Sequence, residues 1–316
     1  MAAPRFVQLY EEDSQALREE VVAGLLGERA VLAPKHFYDR LGSQLFAAIT
    51  ELAEYYPTRT EAAIFAAHGD AIARAVGSGS TLIDLGAGDC AKALRLLPLL
   101  RPARYVAVDI SVDWLRDALD VVQRHHPALP LTGIGADFSS SLDLPPDATA
   151  GRPVFFYPGS SIGNFTPAEA LEFLRRVHAR ATGGGLLLGV DLVKPVDVLE
   201  RAYDDELGVT AAFNLNALRH VNRLIGADFS PRQWRHRAFY DSALSRIEMH
   251  LEADERLQVH WAGGGRSFAE GERIHTEISC KYTPDNLAAL LQRAGFRKPQ
   301  AWYDAQRWFA VVWAEA

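Results

Sequence analysis

The run Thr81-Leu-Ile-Asp-Leu-Gly86-Ala-Gly88-Asp-Cys90-Ala-Lys92 constrains the fold more than any other segment. Thr81 to Leu85 is a short apolar stretch. Two glycines follow at once, and then a helical pattern from Ala91 to Leu100. The spacing predicts a strand, a tight turn and a helix. Glycine has no Cβ, so a ligand can approach the turn's backbone closely. The helix start adds unpaired N–H groups facing the same place. A nucleotide-like cofactor suits such a loop.

Two cofactors compete for it. Gly86-x-Gly88-x-x-Ala91 fits the dinucleotide fingerprint, and Asp109 closes the next strand pattern, Arg104 to Asp109, where a ribose acid belongs. Three features favour S-adenosylmethionine (SAM) instead. Asp84 stands two residues before Gly86, where it suits the positive amine and sulfonium of SAM and would repel a pyrophosphate. Asp137-Phe138 follows the third apolar run, Leu131 to Ile134, and offers a carboxylate and a ring to an adenine. Finally, a helix over 284–294 precedes strands over 300–303 and 308–313. The short 304–307 link makes the last two a hairpin, so the final strand runs against its neighbours. The expected fold is α/β: a Rossmann-like sheet with an antiparallel last strand, of the SAM methyltransferase type, plus a second α+β domain. Cys90 stands where many such loops carry a third glycine.

With 316 residues the chain exceeds a typical single core. The net charge of −7 gives no basic footprint for nucleic acid. Two cysteines make no disulfide scaffold, and no metal-ligand spacing is visible, so no metal is expected. No apolar run has membrane-spanning length, and Met1 to Asp13 turns acidic without an apolar core. A cytoplasmic monomer acting on a small molecule is expected.

Helical patterning fills the chain to residue 76, and Thr58-x-x-Glu61 reads as a capping box. Strands and helices alternate over 81–194, and Thr166-Pro167-Ala-Glu169 opens one helix. After Lys194-Pro195, two helical stretches precede alternating strand-like runs over 234–279. These changes divide the chain into a cofactor domain, 58–195 with 284–316, and a substrate domain, 1–57 with 196–283. The substrate is expected between the two.

Gly159-Ser-Ser161-Ile-Gly163 matches the G-x-S-x-G hydrolase elbow. That elbow needs a helix directly after the serine, and here the next helix is capped only at Thr166. The segment reads better as the loop after the fourth strand, where Asn164 offers both a donor and an acceptor.

Together these residues resemble the histidine-specific Nα-methyltransferases of ergothioneine biosynthesis, which have fungal tryptophan N-methyltransferase relatives. The resemblance spans nearly the whole chain. It rests on Phe37-Tyr38-Asp-x-x-Gly42-Ser43, Glu54-Tyr55-Tyr56-Pro57-Thr58-Arg59, the glycine loop with Lys92, Gly159-Ser-Ser-Ile-Gly-Asn164, Gly189-Val-Asp-Leu-Val-Lys-Pro195, Ala202-Tyr203-Asp204, Val209-Thr-Ala-Ala-Phe-Asn214 and Thr276-Glu277-Ile278-Ser279. It implies SAM-dependent methylation of the α-amine of L-histidine to the trimethylated betaine, hercynine. Asp84, Gly86, Gly88, Lys92, Asp109, Asp137 and Phe138 would hold SAM. Tyr38, Tyr55, Gly159, Asn164 and Tyr203 would surround the amine and carboxylate of the substrate. Tyr38 and Asn164 are then the candidate catalytic residues. Glu277 and Ser279 would bind the imidazole, with Ile278, Met249 and Phe46 lining the pocket. Another amino acid such as tryptophan, or SAM binding without catalysis, are the competing readings.

Overall fold

The computed structural model describes residues 3–9, 14–110, 112–139 and 141–316. Part of the Met1–Asp13 segment therefore lies outside the described residues. The strands are β1 (Arg5–Gln8), β2 (Ala30–Val31), β3 (Thr81–Leu85), β4 (Arg104–Asp109), β5 (Leu131–Gly135), β6 (Pro153–Tyr157), β7 (Gly185–Asp191), β8 (Trp234–Asp241), β9 (Arg246–Ala253), β10 (Leu257–Trp261), β11 (Gly264–Phe268), β12 (Arg273–Cys280), β13 (Arg297–Tyr303) and β14 (Phe309–Glu315). The α-helices are α1 (Ser14–Leu26), α2 (Arg40–Thr50), α3 (Tyr56–Val76), α4 (Ala91–Leu100), α5 (Val112–His125), α6 (Pro167–Arg180), α7 (Val196–Arg201), α8 (Val209–Ile225) and α9 (Pro284–Arg293).

The chain forms two compact units. The first holds Arg59–Leu192, Tyr282–Ala316 and the N-terminal strand. Its eight strands make one sheet in the order β1-β5-β4-β3-β6-β7-β14-β13. The central ladders are parallel, and β14 runs antiparallel between β7 and β13. The reversed last strand expected from the 304–307 link is present. Every residue of β3, β6 and β7 is buried, as befits parallel strands covered on both faces. The strand order reverses around β3, which lies between β4 and β6. Ligands of open α/β sheets bind outside the carboxyl ends at such a point, and the glycine loop leaves β3 there.

Two local readings need correction. The sequence pattern puts 1–57 whole in the second domain, but β1 pairs in parallel with β5 and extends the large sheet. Four residues are too few for a periodic signal; the exposed edge of β5 recruits them. The Thr58-x-x-Glu61 box is not a helix start either, because α3 begins at Tyr56. Pro57 fits a first helical turn, where its missing N–H costs nothing. The box at Thr166 does form, with both reciprocal bonds and Pro167 at its start.

The second unit holds Val193–Lys281 and the segment up to Thr58. Its sheet runs β2-β12-β9-β8, and β10 and β11 form a separate antiparallel pair. Burial alternates strictly along β9. The inward face carries Ile247, Met249, Leu251 and Ala253, and the polar residues between them lie on the other face. Leu218, Val221 and Ile225 of α8 join Leu251, Phe268 and Ile274 in this unit's apolar core.

Candidate active site

Loop geometry at the end of β3 explains its composition. Gly86 and Gly88 have φ of +71° and +53°, in the left-handed region that side chains disfavour. A Cβ on Gly86 would stand 3.5 Å from the ring of Phe138, and one on Gly88 would meet nothing within 4 Å. Cys90, in place of the third glycine, also has a left-handed φ of 58° and is fully buried. Burial pushes its thiol up to about 12, so it stays protonated and packs as a small apolar group.

The three acids expected at the cofactor are held differently. Asp109, at the end of β4, accepts the Gly88 N–H at 2.9 Å and so ties the loop to the neighbouring strand. Asp137 accepts from the Ser139 N–H at 3.1 Å. Asp84 is buried within β3, and its Oδ2 accepts from the Tyr105 hydroxyl at 2.7 Å. Its Oδ1 is buried with no hydrogen-bond partner. Burial pushes this carboxyl up to about 7, against the opposing pull of the Tyr105 hydrogen bond and of Lys92. A buried carboxylate oxygen without a donor suits a cationic ligand and opposes a pyrophosphate. The open glycines, Asp84, Asp109 and the Phe138 ring beside Gly86 together fit SAM.

Glu61, read from sequence as a cap, is instead a central tie. Its carboxylate is 2 % exposed. Oε2 pairs with Lys92 Nζ at 2.8 Å, and Oε1 accepts the Gly159 N–H at 2.8 Å. A Cβ on Gly189 would stand 2.0 Å from Oε1, so the strand β7 must carry glycine there. One side chain of α3 thereby couples the cofactor loop's lysine to the loop after β6. No sequence period could reveal this, because the partners lie 31 and 98 residues away.

The loop after β6 is not a hydrolase elbow. Ser160 adopts φ of 60°, and its Oγ accepts the Asp191 N–H at 2.9 Å. The Ser161 hydroxyl donates to the Pro158 carbonyl at 3.2 Å. Residues Ser161–Asn164 form a short 3-10 turn, and α6 begins only at Pro167. Asn164 closes that turn and is exposed.

In the second unit, Tyr38, Phe46, Tyr55 and Tyr203 of the expected substrate residues come together, while Gly159 and Asn164 belong to the first unit. Tyr38, Phe46, Tyr55 and Tyr203 form a continuous series of edge-to-face ring contacts at 5.7, 6.2 and 6.4 Å. Asp39 caps α2 by accepting the Gly42 N–H at 2.7 Å, which fixes the turn carrying Tyr38. The Tyr203 hydroxyl reaches Ser279 Oγ at 2.7 Å and links the series to β12.

A β-bulge sets the orientation of β12. His275 pairs with His250 on β9, yet Glu277 pairs with Met249, so Thr276 is the extra residue. Directly opposed residues share a face of an antiparallel ladder. Without the bulge Glu277 would lie opposite Glu248, on the polar face. With it, Glu277 and Ser279 stand on the inward face with Met249 and Ile247. Ile278, opposite Glu248, falls on the other face, so its side chain does not join the set expected from the resemblance. Glu277 is half-buried. Burial pushes its carboxyl up to about 7, and Lys281 pulls it the other way. Lys281 was not singled out from the sequence. It is 4 % exposed and donates to Ser279 Oγ at 2.7 Å and to Tyr203 Oη at 2.9 Å. A lysine two residues past a strand serine carries no sequence signal for such a bond.

The strands also bring together Glu248, His250 and His275, a set with metal-ligand chemistry that no spacing had suggested. Here His250 Nε2 bonds Glu248 at 2.9 Å, Arg246 bonds the same carboxylate, and His275 Nε2 bonds the Glu277 carbonyl at 3.1 Å. These bonds join the three into a polar network on the face opposite Met249, while His250 Nδ1 is buried with no hydrogen-bond partner among the described residues.

The sheet order, the reversed last strand and a glycine loop suited to SAM define a SAM-dependent methyltransferase of the Rossmann-like class. Comparison with known proteins refines this. The model of a family described as histidine-specific, SAM-dependent methyltransferases matches residues 17–316, and the chain belongs to that family. It is 42 % identical over 298 residues to a histidine N-alpha-methyltransferase of Mycolicibacterium smegmatis, covering 92 % of each chain. The corresponding protein of Mycobacterium tuberculosis is 40 % identical, covering 92 % of this chain and 91 % of that one. Ergothioneine biosynthesis protein 1 of Neurospora crassa is 31 % identical across 84 % of this chain, which corresponds to 31 % of that longer protein.

Proposed function

We propose that this enzyme transfers methyl groups from SAM to the α-amine of L-histidine, forming the trimethylated betaine that opens ergothioneine biosynthesis. One observation carries the choice of substrate: the bulge that turns Glu277, with Ser279, onto the face of Met249 beside Tyr203. A carboxylate and a hydroxyl on one enclosed face suit an imidazole, and Met249 leaves less room for an indole. Family membership and the mycobacterial relatives support the same reading.

When bound, SAM supplies a methyl group on a positively charged sulfur that departs as a neutral thioether. The chain's own residues then have mostly to bind and align. Asp84 and Asp109 are assigned the cation and ribose of the cofactor, and Asp137 and Phe138 its adenine. Lys92 is fixed by Glu61 at the loop's edge. Asn164 is assigned the attacking amine, and Tyr38 is the candidate group beside it. Tyr55 and Tyr203 are assigned to surround the amino-acid end, Tyr203 by its ring because its hydroxyl hydrogen is given to Ser279, and Phe46 and Met249 line the pocket. Aromatic faces around the amine tolerate the quaternary ammonium product.

Among the described residues no helix is long and apolar enough to cross a membrane. We assign a cytoplasmic location and a monomeric state, the latter checked by light scattering. The deciding assay incubates the pure protein with SAM and each amino acid and reads mass gains of one to three methyl groups. Gain on histidine is expected; gain on tryptophan alone would transfer the assignment to the rival substrate.

A further inference from the structure

Lys281, Tyr203 and Ser279 form a closed triangle. Lys281 Nζ donates to Ser279 Oγ at 2.7 Å and to Tyr203 Oη at 2.9 Å. The Tyr203 hydroxyl donates to the same Ser279 oxygen at 2.7 Å. Lys281 and Ser279 are almost fully buried, at 4 % and 3 % exposure, and Tyr203 is buried too. Lys281 Nζ also sits 4.7 Å from the Tyr203 ring centre, so its position is held from two sides.

Hydrogen counting gives the triangle a direction. A serine oxygen accepts two hydrogen bonds and gives one. Both acceptances of Ser279 are taken by Lys281 and Tyr203. Its own hydrogen is the one left over, and among the described residues it is given to no neighbour. Ser279 can therefore meet a ligand only as a donor. Glu277 stands two residues earlier on the same face and, when ionised, can meet a ligand only as an acceptor.

We infer that Lys281 is a positioning residue that fixes Ser279 as a donor, so that the site selects the neutral imidazole of histidine in one tautomer and rejects imidazolium. This rests on the proposed binding of the imidazole by Glu277 and Ser279. In the neutral ring, one nitrogen gives its N–H to Glu277 and the other presents a lone pair to Ser279. An imidazolium would turn an N–H against the serine hydrogen, and a buried donor facing a donor costs more than a lost contact. An indole satisfies Glu277 but leaves the serine hydrogen without a partner. Lys281 follows the end of β12, and Met249 stands opposite Glu277 on β9. Lys281 is the charged group that bears on the Glu277 carboxyl.

The test is calorimetric binding of histidine to the full-length protein saturated with S-adenosylhomocysteine, from pH 5.5 to 8.5, in buffers of different ionisation heat. Below the ordinary imidazole pKa of about 6.5, affinity should fall, approaching about tenfold per pH unit for the imidazole proton, with proton release on binding. K281M frees Ser279 to turn and accept. Histidine should bind more weakly at pH 8, and release about one proton fewer at pH 5.5. K281R should restore the parent's proton release. If E277Q and S279A leave histidine affinity unchanged, the underlying placement of the imidazole fails. If those variants weaken binding but K281M releases as many protons as the parent, the placement stands and the role of Lys281 is overturned. Should K281M not fold, the unaltered protein decides with two analogues. Pyrrolylalanine, with an N–H and no lone pair, should bind at least about tenfold more weakly than histidine, the scale of one lost hydrogen bond. Thiazolylalanine keeps a lone-pair nitrogen but lacks the N–H. Equal binding of pyrrolylalanine and histidine, or no proton release by the parent at pH 5.5, overturns the inference.

Discussion

Replacing Glu61 tests whether one buried carboxylate couples two loops of the cofactor unit. Glu61→Gln keeps the shape and keeps an acceptor for the Gly159 N–H. It sets an amide NH2 against Lys92, where a carboxylate oxygen stood at 2.8 Å. A hydrogen bond to a charged group is worth about 1.5–3 kcal/mol. Breaking a fully buried ion pair costs about 3–5 kcal/mol. Lys92 is 38 % exposed, so water screens part of the loss and the lower range applies. We expect Glu61→Gln to lose about 1.5–2 kcal/mol of stability in urea unfolding. Glu61→Ala should lose about 3 kcal/mol, because it also strands the Gly159 N–H and leaves a void. Both should weaken SAM binding through a released Lys92. A double-mutant cycle with Lys92→Met isolates the pair, with a coupling of about 1 kcal/mol expected between contacting residues. Strict additivity in that cycle, or SAM affinity untouched in Glu61→Ala, would refute the coupling.

Further outcomes follow from the site. Asp84 is raised to about 7 in the folded protein, so the folded state holds its proton more tightly than the unfolded chain. This group's contribution to ligand-free stability is therefore greatest at low pH and declines as pH rises from the ordinary aspartate range to about 7. Asp84→Asn should abolish that decline, seen in urea melts at pH 5 and 8, and SAM affinity should rise with pH over the same window only in the parent. Asn164→Ala should raise the Michaelis constant for histidine while calorimetry shows SAM binding preserved; an unchanged constant removes Asn164 from the site. Glu277→Gln should lower kcat/KM for histidine by about 10-fold or more, as loss of a charge-assisted bond implies. Glu277→Ala should also relax the histidine-to-tryptophan preference, and an unaltered ratio would return Thr276–Ser279 to plain strand.

The cofactor half was legible because its signals are local. A five-residue apolar run, two glycines and a helix pattern lie within one segment, and their neighbours in space are neighbours in sequence. Asp109, which ends β4, and Phe138, just past β5, were expected from their places after a strand, although each lies far along the chain from the glycine it approaches. The 304–307 link specified the reversed last strand because so short a link permits only an antiparallel pair. Tyr38, Tyr55 and Tyr203 were found through the resemblance, and the fold brings their rings into one series with Phe46. What sequence alone determined is thus the order of elements and the chemistry of residues at their ends.

Tertiary structure decided the rest. The edge of β5, not any pattern in 5–8, drew the first strand into the large sheet. Glu61 is a capping-box glutamate by sequence and a buried tie by packing. Simple alternation from Ile274 would have sent Glu277 outward; a single extra residue, Thr276, turns it inward. Register has a period of two, so one inserted residue exchanges the two faces of everything beyond it. That exchange depends on pairing with β9, which β12 meets only in the folded chain.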